Sequence, residues 1–178
     1  MEPRDQHLKR EAHRNPARFE TLYQKWVSPV YRYFLYRVDN IKDAEDLTSQ
    51  VFLKVYEQFP HYKENGHFPA WLFTIVRNQS ADYFRSHGPV VPLETFEASD
   101  GNPDPLEHTA HAEELQRLRH LLRTLSEEEQ ELIRLRFVAQ LRYKDIASIL
   151  DRNNEAIRKQ ISRLLRHLQS QLEEKGHD

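Results

Sequence analysis

The sequence contains no cysteine in 178 residues. That excludes disulfides, thiol nucleophiles and cysteine metal sites, and it fits a reducing cytoplasm. Glycine is scarce, with only Gly66, Gly88, Gly101 and Gly176. Phosphate-cradling loops need glycines clustered ahead of a helix, so these scattered four argue against a Rossmann or P-loop nucleotide enzyme. No apolar run approaches the roughly 20 residues that a membrane-spanning helix requires. The N-terminal MEPRDQHLKREAHRNPARF is charged and lacks the apolar core of a signal peptide. A soluble, cytoplasmic protein without membrane contact of its own is expected. Strand patterning is missing too, apart from the short Val90-Val91, so the expected class is all-α.

Net charge is also small, a formal −2, but its distribution carries more than its total. Residues 1–87 hold 13 Lys/Arg against 11 Asp/Glu, and residues 115–178 hold 13 against 10. Residues 88–114 hold seven acids and no Lys or Arg. The helix breakers fall in that same acidic middle: Gly88, Pro89, Pro92, Gly101, Pro103 and Pro105. The expected organisation is a tail over 1–15, a helical domain over 16–87, a flexible acidic linker over 88–112, and a second helical domain over 113–178. Within the linker, regular structure should lapse over 88–108. The first domain reads as three helices: 16–38 with a kink at Pro29, 43–58 and 69–85. The second begins with a helix over 113–123 and another opened by Ser126. The run Ser126-Glu127-Glu128-Glu129 has the hydroxyl and the glutamate of a capping box.

Three stretches carry candidate function. Tyr143 to Leu168, YKDIASILDRNNEAIRKQISRLLRHL, reads as two helices around a polar break at Asp151-Arg152-Asn153. Ile157, Ile161, Leu164, Leu165 and Leu168 recur at helical spacing, while Asn154, Arg158, Lys159, Ser162, Arg163 and Arg166 occupy the other side. A two-helix corner of this kind lays its second helix in the DNA major groove, with basic side chains on phosphates and its N-terminal residues at base edges. Asn154, Glu155, Arg158 and Lys159 are the best-placed base readers. By itself the pattern also fits a solvated amphipathic helix. DAEDLTSQVFLKVYEQF, Asp43 to Phe59, places Asp43, Glu45 and Asp46 in a first turn, where they favour the helix dipole or offer a polar face to a protein partner. FPAWLFTIVRNQSADYFRS, Phe68 to Ser86, interleaves aromatics with Arg77, Asn78 and Arg85, a composition suited to stacking unpaired bases and holding phosphates. Each aromatic taken alone also fits a core position.

In their order and spacing, DAEDLTSQVF, AWLFTIVRNQSADYFR and LSEEEQELIRLRFVAQLRYKDIASIL resemble the bacterial RNA polymerase sigma factors of the sigma-70 family, extracytoplasmic-function (ECF) class. The resemblance covers about 16–85 and 115–170. It implies a region 2 helical bundle and a region 4 helix-turn-helix joined by a linker. Region 2 would bind the clamp of core RNA polymerase through Asp43, Glu45, Asp46, Leu47, Gln50 and Lys54. It would melt and read the promoter −10 element through Tyr62, Lys63, Asn65, His67, Phe68, Trp71, Arg77, Asn78 and Arg85, with a base flipped into the loop over 61–68. Region 4 would bind the polymerase flap. It would read the −35 element through Arg142, Tyr143, Asn153, Asn154, Glu155, Arg158, Lys159, Ser162, Arg163 and Arg166. With no further domain after residue 178, sensing is expected to rest with an anti-sigma factor. The acidic linker would thread the polymerase channel near the RNA path and suppress stray DNA binding by the free protein.

The sequence departs from the family at several places. Asp151 stands where the helix-turn-helix turn usually has glycine, and aspartate tolerates left-handed backbone better than most residues. The run Glu155 to Gln160 replaces the usual base-reading pattern, and Pro69 enters the recognition loop. Two other classes share parts of this pattern. An ordinary helix-turn-helix regulator would bind a duplex operator as a dimer. A helical enzyme needs convergent catalytic groups, and none accompany Asp43, Glu45 and Asp46 on a second helix. The ten histidines form no tight cluster with carboxylates, the pairs His61/His67 and His108/His111 included. No catalytic residue, metal or cofactor is expected.

Overall fold

The structure, a computed structural model, describes residues 16–63, 66–88 and 105–174, with side chains over 17–63, 66–88 and 115–173. The tail over 1–15, most of the acidic linker including Val90-Val91, and Asn65 lie outside the described residues. Seven α-helices make up the described chain: α1 Pro16–Val38, α2 Ile41–Gln58, α3 Phe68–His87, α4 Pro105–Thr124, α5 Glu127–Ile133, α6 Tyr143–Leu150 and α7 Asn154–Glu174. No strand occurs among the described residues. In α1 the helix runs through Pro29 without a break. Asp39, in left-handed backbone at φ 52°, turns the chain into α2, and the Asn40 side chain caps that helix by accepting from the Asp43 amide at 3.0 Å.

α2 therefore starts two residues earlier than its acids imply. Asp43 alone sits in the first turn; Glu45 and Asp46 lie beyond it. At the other edge of the linker, α4 starts at Pro105, not near 113. Proline breaks a helix in its interior, but at the first helical position its missing N–H costs nothing, because that donor has no helical partner there.

Ser126 forms the expected capping box, with its hydroxyl accepting from the Glu129 amide and the Glu129 carboxylate accepting from the Ser126 amide at 2.9 Å. The Ser126 hydroxyl and amide together hold the Glu129 carboxyl below its usual value near 4.5. Ser126→Ala should cost about 1 kcal/mol of stability at neutral pH. A carboxyl lowered in the folded state stabilises above its unfolded value and loses that contribution as pH falls through the folded one. The gap between wild type and Ser126→Ala in urea titrations should therefore narrow below about pH 4.5.

After Ile133 the chain widens into one π turn over Arg134–Val138, with Ala139 N–H bonding Arg134 C=O at 2.9 Å. Gln140, at φ 57°, then redirects it into α6. The corner between α6 and α7 is closed by Asp151 at φ 52°, ψ 50°, the left-handed conformation anticipated for it.

One hydrophobic cluster runs through both halves of the chain. From the N-terminal bundle it takes Val30, Tyr33, Phe34, Val51, Leu72, Phe73 and Val76; from the C-terminal half it takes Leu132, Leu135, Ile146, Ile157 and Ile161. A second cluster of Leu121, Leu125, Leu164 and Leu168 fastens α4 to the end of α7. Leu165, expected on the buried stripe, is 42 % exposed. The two halves are thus packed together: α1 meets the π turn and α3 meets α6.

Candidate nucleic-acid interface

On α7, the side chains opposite Ile157 and Ile161 face solvent. Asn154, Glu155, Arg158, Lys159, Ser162, Arg163 and Arg166 are all exposed, as the helical wheel requires. The corner orders several of them before any ligand arrives. Asn153 accepts from the Glu155 amide at 2.7 Å, so its side-chain oxygen caps α7. Arg136 and Arg158 lie over the Tyr143 ring, at 4.7 and 5.3 Å from its centroid. Stacked on an aromatic, Arg158 gives up less rotamer freedom when it meets a base edge or a phosphate. Lys159 pairs with Glu155 at 2.9 Å, and Arg142 with the buried Asp145 at 2.9 Å. On the far side, Glu128 accepts from Arg152 and from Gln160, at 3.0 Å for the latter, bracing α7 on α5. Those two partners hold the exposed Glu128 carboxyl below its usual value.

The second surface is the loop and short 3-10 turn between α2 and α3. Tyr62 stacks on Phe59 at 6.4 Å, and its ring lies 4.7 Å from that of Trp71. The Tyr62 and Trp71 rings border an open cleft of about 400 Å³ lined also by His61, Lys63, His67, Ala70, Thr74 and Ser148. The cleft combines aromatic faces with a lysine and two histidines, the groups an unpaired base and its phosphate need. Phe68 does not serve as a stacking face. It is 5 % exposed and packs edge-on against Tyr62, so it supports the cleft from within. Asn78 and Arg85 are exposed, Arg85 pairing with Asp82.

The third surface, on α2, divides in the same way. Glu45, Asp46 and Gln50 are exposed. Leu47 is 3 % exposed, a core residue with no face to offer a partner. The Asp43 carboxylate accepts from the Tyr83 hydroxyl at 2.7 Å, and burial together with that bond pushes the phenol up to about 12. Lys54 and Gln50 are joined through the buried amide of Gln79.

Sequence reasoning missed the polar network between the two halves. Glu131, on α5, is buried and accepts from the Tyr33 hydroxyl at 2.9 Å, from Arg77 Nε at 3.0 Å and from Arg134 Nε at 3.1 Å. Arg77 also donates to the Ile149 carbonyl at 3.3 Å, so this expected DNA contact is engaged with the C-terminal half. Arg37 on α1 pairs with Glu127 and lies 4.5 Å over the Phe84 ring. Burial, and then the neighbouring Glu131 charge, push the Tyr33 phenol far above its usual value, so it stays a donor at neutral pH. Among the described residues no helix is long and apolar enough to cross a membrane.

Comparison with known proteins bears on these surfaces directly. Residues 22–89 match the model of sigma-70 region 2, and residues 115–168 match that of sigma-70 region 4. The first contains the α2 face and the aromatic cleft; the second contains the whole helix-turn-helix. The ECF RNA polymerase sigma factor BldN of Streptomyces coelicolor is 34 % identical over 144 residues, 79 % of this chain and 54 % of that protein. The probable RNA polymerase sigma factor RfaY of Xanthomonas campestris pv. campestris is 27 % identical over 130 residues, 70 % of this chain and 32 % of that protein. The chain thus spans about half the length of the first and a third of the second. The sigma factor RpoE of Bartonella quintana, solved with the anti-sigma factor NepR, shares the fold at a TM-score of 0.67 and 22 % identity, over 87 % of this chain and 96 % of that one. With both region models in the expected order, and the motifs that carry them on the surfaces just described, the chain belongs to the sigma-70 family of RNA polymerase sigma factors, in the extracytoplasmic-function class.

Proposed function

We propose that this protein binds core RNA polymerase and directs it to promoters, reading a −35 element with α7 and a melted −10 element with the Tyr62–Trp71 cleft. It catalyses no reaction of its own; polymerase supplies the chemistry. The observation that carries the reading is the pairing, in one chain, of a duplex-reading helix with a separate aromatic cleft fit for an unpaired base. A duplex-binding regulator needs the first and has no use for the second. The exposed acids Glu45 and Asp46, with Gln50, are the part of α2 left to meet the polymerase clamp, and the flap would be met by the C-terminal half. An anti-sigma factor is the expected regulator, because solved relatives such as RpoE of Bartonella quintana are seen with one.

The test is co-elution of the purified chain with core RNA polymerase on a sizing column at moderate salt. A one-to-one complex that initiates from promoters selected from a random library is expected. A chain that stays free while core still takes up a known sigma factor would overturn the proposal.

A further inference from the structure

Asp43, Gln50 and Lys54, expected to meet the polymerase clamp, do not stand free on α2: each is held by α3. Gln79 and Tyr83, one turn apart on α3, reach across to α2 from the same side of their helix. Tyr83 donates to the Asp43 carboxylate at 2.7 Å. Gln79 reaches the other two at once, and it is 8 % exposed, a glutamine taken into the interior of the bundle. Glutamine is mostly a surface residue, and a buried one is kept where both ends of its amide are bonded.

Donor and acceptor chemistry fixes the direction in which this chain of bonds runs. Lysine has only donors, so Lys54 Nζ meets the Gln79 carbonyl oxygen, at 2.5 Å. The Gln79 NH2 is then the end left for Gln50, and it meets the Gln50 oxygen, also at 2.5 Å. Gln50 lies on the surface, so with its oxygen turned inward its NH2 is turned outward. An unrestrained surface glutamine shows oxygen or NH2 with equal ease. This one shows NH2, beside the half-buried Lys54 ammonium. About one turn back along α2, the exposed carboxylates of Glu45 and Asp46 offer only acceptors.

We infer that Gln79 is a positioning residue for polymerase docking: it turns the Gln50 NH2 outward and so sets a donor patch at Gln50 and Lys54 next to an acceptor patch at Glu45 and Asp46. This rests on the polymerase-binding function proposed above and deepens it by naming the chemistry of the partner surface. Opposite Gln50 and Lys54 the clamp presents acceptors, carboxylate or carbonyl oxygens; opposite Glu45 and Asp46 it presents cations. A lysine accepts a matching charge from many directions, whereas a fixed NH2 needs an oxygen in line with its N–H. Gln79 itself is buried and acts through Gln50.

Gln79→Glu tests the orientation with almost no change of shape. One carboxylate oxygen still accepts from Lys54. The other replaces the NH2 and faces Gln50, which must turn over and donate, so the Gln50 oxygen comes outward. Affinity for core polymerase should fall on the order of tenfold, the cost of setting acceptor against acceptor in an interface. In a Gln50→Ala chain the same substitution has no amide to turn over and should cost nothing more. Gln79→Met carries no charge and leaves Gln50 free to show either end. It should lose about two- to threefold, because only part of the population then presents NH2, and it guards against a glutamate variant that fails to fold. Each affinity is read by titrating core polymerase into the N-terminally labelled full chain, with thermal melting alongside. The side-chain amide signals of the free chain give the orientation directly. The Gln50 NH2 should exchange quickly with water and the Gln79 NH2 slowly, and Gln79→Glu should slow the Gln50 NH2. No loss of affinity in Gln79→Glu, or an equal loss with and without Gln50, would overturn the inference, as would a Gln50 NH2 already protected in the natural chain. If instead the natural chain binds no core at all, the polymerase function falls, and the docking role of Gln79 falls with it.

Discussion

Phe73→Ala should destabilise the protein by about 3–5 kcal/mol, the largest effect expected of any single truncation here. Phe73 is fully buried and takes the edges of Trp26 at 6.1 Å and Tyr33 at 5.9 Å. Those rings come from α1, so the vacated space cannot be closed by a side-chain rotation within α3 alone. The lost transfer energy and the cavity then add. Against a typical stability of about 5–15 kcal/mol, that is a large fraction of the whole. Guanidinium titrations should show a lower midpoint at unchanged slope, which marks lost stability and not altered compactness. Tyr36→Ala, at a ring 65 % exposed on the same helix α1, should stay within about 0.5 kcal/mol. Phe73→Ala also removes one wall from Tyr33, whose hydroxyl ties the halves together. Loss of core packing and loosening of the Tyr33–Glu131 contact between the halves are therefore expected in the same variant.

What could be read from the sequence is what local chemistry determines. Ser126 with Glu129 is a three-residue pattern, and the capping box is there. Asp151 in place of glycine still leaves one left-handed residue for the corner to use, and it is used. The basic face of α7 follows from a helical period and was placed correctly. The failures are of two kinds. At element edges, proline and acids carry double meanings: Pro105 opens a helix where it was read as breaking one, and Asn40, not the acid run, starts α2. In the interior, contacts distant in the chain leave no periodic trace. Glu131 follows three other acids of which it reads as one more, yet it is the one that folds inward, to meet a tyrosine 98 residues away. A carboxylate is seldom buried unless paired, and its partners here are supplied by two helices that no local pattern links to it. Phe68 and Leu47 illustrate the same limit of local pattern, since both lie in motifs yet are buried: motif position says which residues matter, and only packing says which of them face outward.

That distinction separates the roles around the aromatic cleft. Trp71→Ala should weaken binding of a melted −10 strand by about 5- to 150-fold, the loss of roughly 1–3 kcal/mol for one stacked base. Its ring is half-buried and lies 4.7 Å from that of Tyr62, so the two together make the face a base would meet. Tyr62→Phe keeps that face and should change binding little. Phe68→Ala should also weaken binding, but by a different route: Phe68 is buried, so the loss should track a lower melting temperature. Salt provides the second axis. Stacking neutralises no phosphate, so Trp71→Ala should lower affinity at every salt concentration and leave the slope of log K against log salt unchanged. Lys63→Ala, at an exposed cation on the rim of the cleft, should reduce that slope by about 0.7, the single-strand value for one phosphate contact. Titrations of the polymerase-bound protein with single-stranded promoter fragments at several salt concentrations separate the two. If Trp71→Ala changed the slope while Lys63→Ala did not, the cleft would be an electrostatic groove and not a base pocket.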